Sequence, residues 1–464
     1  MISKEIAKNV LNAALATGAD FAEIYLEEVQ TNSIAMDNGD VKTINAGITY
    51  GAGIRLLNKL QSVYGYTNDL SEQSLLKLAN SLSKSFAEER KLTVDEITLI
   101  ENKGAHKSKR LLSEVSKEEK IKMLKEASEI MSSYDSRIVR TQANFVDNAK
   151  SVTIFNSKGH EHHDFRARGR LFLIAMASEN GLIETCFNGP GAQKGMEFFT
   201  DDIDYKALAK ETAKVAITML GAKECPSGKM PVILGNGFGG VIFHEACGHG
   251  LEASSVSKKL SIFSDKLGQQ IASPIVSAID DGTIENGWGS GNIDDEGNPT
   301  QCNLLIKDGI LQNYLIDDFN GRRMGMPGNG ACRRESYKYE PTSRMSNTFI
   351  CAGKSTVEEM IAATKFGLYA KSLGGGSVNP TTGDFNFAVT EGYMIEDGKI
   401  SYPVKGATLI GNGGSILKEI DMVGNDLLRG QGMCGAASGS IPADVGEPTI
   451  RVREITVGGR GGAI

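Results

Sequence analysis

The segment from His244 to His249 carries the residue types that a metal-dependent hydrolase needs. It reads His-Glu-Ala-Cys-Gly-His, so that two imidazoles flank a carboxylate. Neutral imidazole nitrogens bind Zn²⁺, and a carboxylate beside them can take a proton from a metal-bound water. Histidine pairs at close spacing also occur by chance in soluble enzymes, but this chain contains only six histidines. We interpret His244 and His249 as metal ligands and Glu245 as the general base.

The five-residue spacing of the two histidines departs from the usual HExxH arrangement. Side chains four apart on an α-helix share a face, whereas side chains five apart are separated by roughly 140° around the helix axis. A single π-type turn, with about 4.4 residues, would bring them back to roughly 50°. Gly248 and Gly250 favour such a distortion. We therefore expect a locally widened helix that lets both imidazoles reach one ion.

A hydrolytic Zn²⁺ site takes three protein ligands and keeps a fourth position open. Cys247 is a candidate for the third ligand, because it would lie about 60° from His244 on a helix. Glu252, eight residues after His244, is another. Cys434 stands in a glycine-flanked turn, whose backbone could approach a metal closely. A buried cysteine is by default a small hydrophobic side chain, and spacing alone leaves all three candidates open.

The motif is positioned by a predicted strand, a turn and a helix. Met230–Leu234 is typical of a short buried strand, Gly235–Gly240 of a tight turn, and the residues from Val241 onward of a helix. Gly235–Gly240 also matches the GxGxxG fingerprint of dinucleotide-binding folds. That fingerprint requires a second strand with an acidic residue about 20 positions on, and Ser254–Ser261 offers none. A nucleotide-binding oxidoreductase that uses this turn is kept as an alternative.

Several blocks in the second half of the chain resemble the TldD/PmbA peptidases, specifically the TldD branch. These blocks are His244–Glu252, Asp294–Gly297, Arg333–Ser336, Pro341–Thr348, Pro403–Gly411, Met422–Asp426 and Thr456–Gly459. The resemblance implies a peptidase with one Zn²⁺ per chain, in which His244 and His249 match the histidine ligands. It also implies that Glu245 matches the general base and Cys434 the third ligand. Small or unfolded peptides are the implied substrates, because the family's active site lies inside a dimer.

The resemblance further implies a partner subunit. The family includes sister chains that lack the metal motif, so the implied dimer is either a homodimer or a heterodimer with a metal-free sister subunit. A non-catalytic subunit of such a heterodimer is the alternative interpretation of this chain. The intact histidines, glutamate and cysteine of the motif count against it.

Composition excludes several other functional classes. The 464 residues carry a formal net charge of −7, so that no broad basic surface is available for nucleic acid. No window approaches the roughly 18 apolar residues that span a membrane. The first residues interrupt their apolar side chains with charges too often for a signal peptide. Seven cysteines without close pairing indicate reduced thiols and a cytoplasmic enzyme.

The apolar pattern predicts an α+β fold. Residues 1–221 are predicted to form an N-terminal domain of two helix-meander-helix units. A linker with proline and glycine follows. Residues 230–464 are predicted to form a mostly β C-terminal domain that carries the metal-binding helix. Exposed strand edges near the metal would suit peptide recognition by β-addition.

Four other clusters could be mistaken for functional sites. His160–Asp164 follows a predicted turn, and we interpret it as a solvated strand edge. His106 falls in a polar connector and is expected to be exposed. Gly374–Gly376 and Arg333–Arg334 could line a substrate groove, or form a turn and ordinary surface, and they are left unassigned.

Overall fold

The computed structural model describes residues 2–379 and 382–464, and it has an α+β architecture. In the first half of the described chain, one sheet has the order β3-β2-β1-β5-β6-β4, with β7 and β8 also paired to β6. Its strands are β1 (Phe21–Asp37), β2 (Asp40–Asn58), β3 (Gln61–Thr67), β4 (Thr98–Ile100), β5 (Ile138–Asn156), β6 (His160–Glu179), β7 (Leu182–Asn188) and β8 (Gly191–Ala192). Asn38 and Gly39, both at positive φ, form the two-residue turn between β1 and β2.

Helices pack on one face of this first sheet. They are α1 (Lys4–Ala14), α2 (Glu72–Ser83), α3 (Lys117–Ser132) and α4 (Tyr205–Leu220). Side-chain oxygens cap their N-termini, from Ser3, Ser71, Ser116 and Asp204. The alternation of side chains along β1 explains the packing, because Ala22, Ile24 and Leu26 join the apolar cluster of α1 and α2.

The opposite face of the first sheet contacts the second half of the chain through buried aromatic and charged groups. Tyr25 on β1 packs against Ile293. The buried Arg55 on β2 donates hydrogen bonds to Glu23 at 2.9 Å and to Glu296 at 2.7 Å. Buried ions are costly unless they are paired, and here one guanidinium serves two carboxylates. The first sheet is thus a platform to which the loop around Glu296 is fixed.

The second half of the described chain is mostly strand. Its strands are β9 (Lys223–Glu224), β10 (Gly228–Leu234), β11 (Ala278–Asp281), β12 (Cys302–Lys307), β13 (Ile310–Leu311), β14 (Cys332–Arg333), β15 (Thr342–Ser343), β16 (Asn347–Ile350), β17 (Phe366–Val378), β18 (Asp384–Glu396), β19 (Lys399–Lys405), β20 (Thr408–Asn412), β21 (Ile420–Val423), β22 (Leu428–Ala436), β23 (Gly439–Glu447) and β24 (Ile450–Gly458). Its short helices are α5 (Val241–Ala246), α6 (Ala253–Val256), α7 (Asp318–Met324), α8 (Val357–Ala362) and α9 (Gly413–Ile416).

Two sheets of this half position the candidate site. β17, β10, β24, β20 and β18 pair in that order, and β17 also pairs with β18, so that these strands close a ring. Val232, Leu368 and Leu409 belong to its apolar core, which Ile242 and Phe243 of α5 share. A separate sheet has the order β13-β12-β11-β16-β23-β22. β22 is therefore an edge strand of that sheet, within the part of the chain that the structure describes.

The predicted fold class is confirmed, since the chain is α+β with a mostly β C-terminal region. The strands of the first sheet all precede residue 193, and those of the other sheets follow residue 222. The domain bounds 1–221 and 230–464 stay a prediction. No helix in residues 2–379 or 382–464 is both long enough and apolar enough to cross a membrane.

Candidate metal centre

The two histidines of the motif lie on two separate helical turns. His244 is on α5, which ends at Ala246, and His249 is on a 3₁₀ turn over Gly248–Leu251. Between the turns Cys247 leaves the helical region, with φ −125° and ψ −52°. The expected π-type widening is therefore wrong, because the helix is interrupted instead. Gly248 permits this path, since a Cβ there would lie 2.2 Å from the sulfur of Met345.

The interruption brings both imidazoles to the thiol of Cys434. Nε2 of His244 lies 3.2 Å from Sγ of Cys434, and Nε2 of His249 lies 3.3 Å from the same sulfur. The two rings are nearly perpendicular, with centroids 5.1 Å apart and planes at 87°. Among the described residues, His244, His249 and Cys434 form the one group of histidine, cysteine or acidic side chains placed to hold a metal ion. Their ligand atoms all lie within 4.8 Å of one another.

The donor set and its dimensions fit Zn²⁺. Zinc binds imidazole nitrogen at about 2.0–2.1 Å and thiolate sulfur at about 2.3 Å, which in a tetrahedron sets nitrogen and sulfur about 3.6 Å apart. The two nitrogen–sulfur distances at the site, 3.2 and 3.3 Å, are a few tenths shorter. Small outward shifts of the side chains would therefore accommodate the ion. Two nitrogens and one sulfur leave a fourth position free, as a hydrolytic site requires.

Electrostatics favour the ionised form of the thiol. Burial alone would raise the pKa of Cys434, but the charges and hydrogen bonds of His244 and His249 outweigh it and lower the pKa to about 3. Burial alone would lower the pKa of His249, yet Glu252 and Cys434 raise it well above its usual range. The cluster thus favours the thiolate that a metal ion requires, and a bound cation would take the place of the proton on His249.

Glu252 lies behind His249 rather than in the group of three. Its Oε2 is 3.2 Å from Nδ1 of His249, the ring nitrogen that points away from Cys434. A carboxylate on the outer nitrogen fixes the ring orientation and directs Nε2 toward the ligand position. Sequence reasoning considered Glu252 as a third ligand and missed this supporting contact. The signal was its position three residues after His249, which places the two side chains on one face of a turn.

Cys247, the other candidate third ligand, lies in the apolar core. Its side chain is wholly buried in the same cluster as Phe243 and Leu251. Burial raises the pKa of the Cys247 thiol, which opposes the deprotonation that metal binding requires. The structure therefore places Cys434, and not Cys247, beside the two histidines.

Glu245 stands at the rim of the centre. Its Oε2 lies 3.7 Å from Nε2 of His249, and 28% of its side chain is exposed. The carboxylate is therefore close to the ligand atoms without forming a hydrogen bond to them, and solvent can reach it. This is the placement that a general base for an attacking water needs.

The glycine turn before α5 has surroundings that disfavour a nucleotide phosphate. Glu447 is fully buried beneath the turn, and a Cβ on Gly239 would lie 2.7 Å from its Oε1. Neither carboxyl oxygen has a hydrogen-bond partner, and burial raises the pKa of Glu447 well above its usual range. When ionised, the carboxyl group of Glu447 would repel a pyrophosphate bound at the turn. The local geometry thus speaks against the nucleotide alternative.

The histidine-rich run His160–Asp164 is not a solvated strand edge, and that interpretation is wrong. β6 is flanked there by β5 on one side and by β4 on the other. Glu161 and His162 are buried, and His162 packs against Gly297. The expected exposure of His106 is also wrong, because it is partly buried and its Nδ1 accepts a hydrogen bond from the backbone of Asn286.

The arginine pair Arg333–Arg334 belongs to the interior rather than to a surface turn. Arg334 is fully buried and pairs with Glu23 of the first sheet. Arg333 donates to the carbonyl of Met345, next to the turn that carries His249. Gly374–Gly376 lies on β17, where Gly375 is exposed.

Three family models match consecutive parts of this chain. They describe the PmbA/TldA metallopeptidase domain 1 over residues 22–85, the central domain over residues 110–220 and the C-terminal domain over residues 227–459. The metalloprotease TldD homolog of Haemophilus influenzae is 37% identical, with 99% of this chain and 97% of that protein aligned. The zinc metalloprotease TldD homolog of Saccharolobus solfataricus is 25% identical over 95% of this chain and 97% of that protein.

Solved structures share the fold. A putative modulator of DNA gyrase from Thermotoga maritima superposes with a TM-score of 0.79 at 24% identity, covering 94% of this chain and 96% of that one. TldE from Thermococcus kodakarensis superposes with a TM-score of 0.77 at 16% identity, covering 97% and 99% of the two chains. The overall fold of this chain is therefore shared with solved structures.

Proposed function

The chain belongs to the PmbA/TldD metallopeptidase family, as its motifs predicted, and we propose that it is a zinc-dependent peptidase that hydrolyses small or unfolded peptides. The observation that carries the proposal is the convergence of two imidazole nitrogens on one thiolate beside a partly exposed carboxylate. In this proposal His244, His249 and Cys434 hold one Zn²⁺ per chain.

The proposed mechanism is metal-assisted hydrolysis of a peptide bond. When bound, Zn²⁺ would acidify a water molecule and polarise the scissile carbonyl. Glu245 accepts a proton from the attacking water and delivers it to the leaving amine. Glu252 holds the imidazole of His249 in the orientation that leaves its Nε2 free for the ion. Because a thiolate donates more charge than a third imidazole, we expect modest turnover.

The strand that carries Cys434 supports an extended substrate. β22 pairs with β23 on one side only, within the described chain. Arg170 and Trp288 donate hydrogen bonds to the carbonyls of Gln431 and Gly432, and Arg344 donates to that of Cys434. The exposed Met433 is therefore the part of the edge that an extended peptide could reach. An unfolded peptide added to this edge would pass directly beside Cys434. Small or unfolded peptides offer extended, unpaired segments of this kind, which favours them as substrates.

The proposal includes a partner subunit and a cytoplasmic location. A wall that excludes folded proteins would come from a second chain, either a metal-free sister subunit or a second copy. The likeness to a solved TldE supports a mate of the first kind. The free thiols at all seven cysteines support a reducing compartment.

Two alternatives are weaker. A non-catalytic subunit would not need the ligand geometry around Cys434 or the exposed carboxylate of Glu245. A nucleotide-binding oxidoreductase would place phosphates over the buried carboxyl of Glu447. Titration with NAD(P)H tests the second alternative directly, since it should give no binding.

A chelation and reconstitution assay tests the proposed function. The purified chain, alone and mixed with a metal-free sister subunit, is offered a short unstructured peptide and a folded protein. We expect cleavage of the peptide only, loss of cleavage with a chelator, and recovery with Zn²⁺. Hydrolysis that survives complete removal of metal would contradict the proposal.

A further inference from the structure

One buried arginine touches both parts of the candidate metal centre. Arg344 is fully buried and directly follows β15. Its Nη1 donates hydrogen bonds of 2.9 Å to Oγ of Ser438 and to the carbonyl of Gly439. Its Nη2 donates to the carbonyl of Cys434 itself. The guanidinium therefore binds the carbonyl of Cys434 on β22 together with Ser438 and Gly439 at the turn between β22 and β23.

The third nitrogen of the same guanidinium faces the other ligand group. Nε of Arg344 lies 3.7 Å from Oε1 of Glu252, whose Oε2 contacts Nδ1 of His249. Both Nε of Arg344 and Oε1 of Glu252 are buried and have no hydrogen-bond partner. At 3.7 Å the contact is an ion pair that is too long for a hydrogen bond. The positive charge of Arg344 and the negative charge of Glu252 therefore partly compensate each other across this contact.

We propose that Arg344 is a positioning residue that sets the distance between the thiolate of Cys434 and the imidazole of His249. It acts through the backbone of Cys434 on one side and through the carboxylate of Glu252 on the other. This inference rests on the proposed function, since it concerns the same zinc site.

Two features of the fold explain why such a link is needed. β22 is an edge strand that pairs with β23 only, within the described residues, so the pairing leaves the free side of Cys434 unsupported. His249 lies on a 3₁₀ turn after the interruption at Cys247, and the hydrogen bonds of a 3₁₀ turn have poorer geometry than those of an α-helix. The guanidinium of Arg344 is planar and has donors in fixed directions, so it can contact β22 and Glu252 at the same time.

The same arginine also lies beside the carboxylate that contacts His249. Nε of Arg344 is a cationic neighbour of Oε1 of Glu252, and a carboxylate on the outer ring nitrogen fixes the orientation of a histidine ligand. Without Arg344 the carboxylate of Glu252 would lose this neighbour and hold the ring of His249 less firmly. Replacing Arg344 should therefore weaken metal binding even if the thiolate remains in place.

Chelator competition with Zn²⁺ measures the proposed role without any assay of activity. We expect Arg344→Lys and Glu252→Gln each to weaken zinc affinity by roughly 10–100-fold, the usual effect of losing an outer contact to a metal ligand. The double variant should be little worse than either single variant, because both changes break one connection. Arg55→Lys is the matched control, since Arg55 is another buried arginine, and it pairs with Glu23 and Glu296 rather than with Glu252 or the turn after β22. It should leave zinc affinity unchanged.

Co²⁺ substitution provides a readout that a purely structural role would not move. The thiolate-to-cobalt absorption band should weaken or shift in Arg344→Lys, because the sulfur is no longer held at its distance. If Arg344→Lys does not fold, Ser438→Ala tests the same connection by removing one acceptor of the guanidinium. Its zinc affinity should then fall, whereas that of Arg55→Lys should not.

The outcomes separate the inference from the proposed function. Zinc affinities of Arg344→Lys, or of Ser438→Ala if the former does not fold, and of Glu252→Gln all within threefold of the unmodified chain would overturn the positioning role. Equal losses in Arg55→Lys would overturn it as well, since general destabilisation would then account for the effect. Failure of the unmodified chain to bind Zn²⁺ at all would instead contradict the proposed function.

Discussion

Sγ of Cys434 lies 3.2 Å from Nε2 of His244, although 190 residues separate the two in the chain. The contact depends on two different supports. α5 is anchored in the core of the strand ring, whereas β22 belongs to the separate sheet that ends at that edge. The candidate metal centre therefore lies between two parts of the second half of the chain. Substitutions that move either part should change the distances between its ligand atoms.

Replacement of Glu245 should separate metal binding from catalysis. Glu245→Gln keeps the size of the side chain but removes the proton acceptor, so we expect peptide hydrolysis to fall by about 10²–10⁴-fold. Zinc content and the melting temperature should stay unchanged, because the carboxylate makes no hydrogen bond to the ligands. Glu358→Gln, at an exposed position on α8, is the control and should keep full activity. Activity of Glu245→Gln within tenfold of the unmodified chain would remove Glu245 from the mechanism.

The two buried cysteines near the site should behave differently. Cys434→Ser should lower zinc affinity by more than the roughly 10–100-fold that an outer contact is worth. Cys247→Ser should keep its zinc and instead lower the free energy of unfolding by about 1–3 kcal/mol, because it buries a hydroxyl in an apolar cluster. Metal analysis and denaturant titration of both variants measure these effects. The reverse order of zinc loss would assign the ligand role to Cys247.

The pH dependence of stability should show the titration of Asp444 on β23. Burial raises the pKa of Asp444 to about 6, although Arg429 partly opposes the shift. Since an unfolded aspartate titrates near pH 3.9, the folded chain holds this proton more tightly. The associated stability is complete below about pH 4 and is lost as the pH rises through about 6.

Asp444→Asn cannot titrate, so it isolates that contribution. Relative to the unmodified chain, the variant should gain about 2 kcal/mol in unfolding free energy between pH 4.5 and pH 8. Both proteins are compared with a chelator present, so that metal release at low pH does not enter. A difference between them that is the same at both pH values would show that Asp444 does not titrate in this range.

Assembly is tested by light scattering. We expect the active species to have at least twice the 49.7 kDa mass of one chain, as a heterodimer with a metal-free sister subunit or as a homodimer. In the proposed assembly, the second chain covers the edge of β22 near Met433, which is exposed in the isolated chain. A mass of one chain together with full peptidase activity would contradict this expectation.

The sequence indicated candidate residues for the site, but not how the fold arranges them. His244, Glu245 and His249 could be found because their types and proximity are local features. Cys434 could be selected among three candidates only through the family resemblance. Its approach to the histidines depends on the pairing of β22 with β23 and on the packing of that sheet against α5, which no local pattern encodes.

The backbone interruption at Cys247 lay beyond sequence reasoning for a similar reason. A spacing of five residues shows that a regular helix is unsuitable, but it does not choose between a widened turn and a broken helix. The choice depends on Met345, which packs closely against Gly248 from a distant strand region. The links from Arg344 to Glu252 and to the turn after β22 are likewise contacts between segments far apart in the chain.

For His160–Asp164 the sequence pattern predicted exposure, whereas most of this segment is buried or half-buried. Alternating polar residues after a turn predicted a solvated edge, which is the ordinary outcome for such a pattern. The short strand β4 pairs with that part of β6 and covers it. Because β4 is only three residues long, no local pattern shows that it pairs with β6.

X-ray absorption at the zinc edge tests the central claim most directly. With one equivalent of Zn²⁺ bound, the account predicts imidazole nitrogens at about 2.0–2.1 Å and a single sulfur at about 2.3 Å from the metal. The sulfur contribution should disappear in Cys434→Ser and persist in Cys247→Ser. A spectrum with nitrogen and oxygen neighbours only, or a sulfur that remains after Cys434 is replaced, would contradict the proposed His244, His249 and Cys434 site.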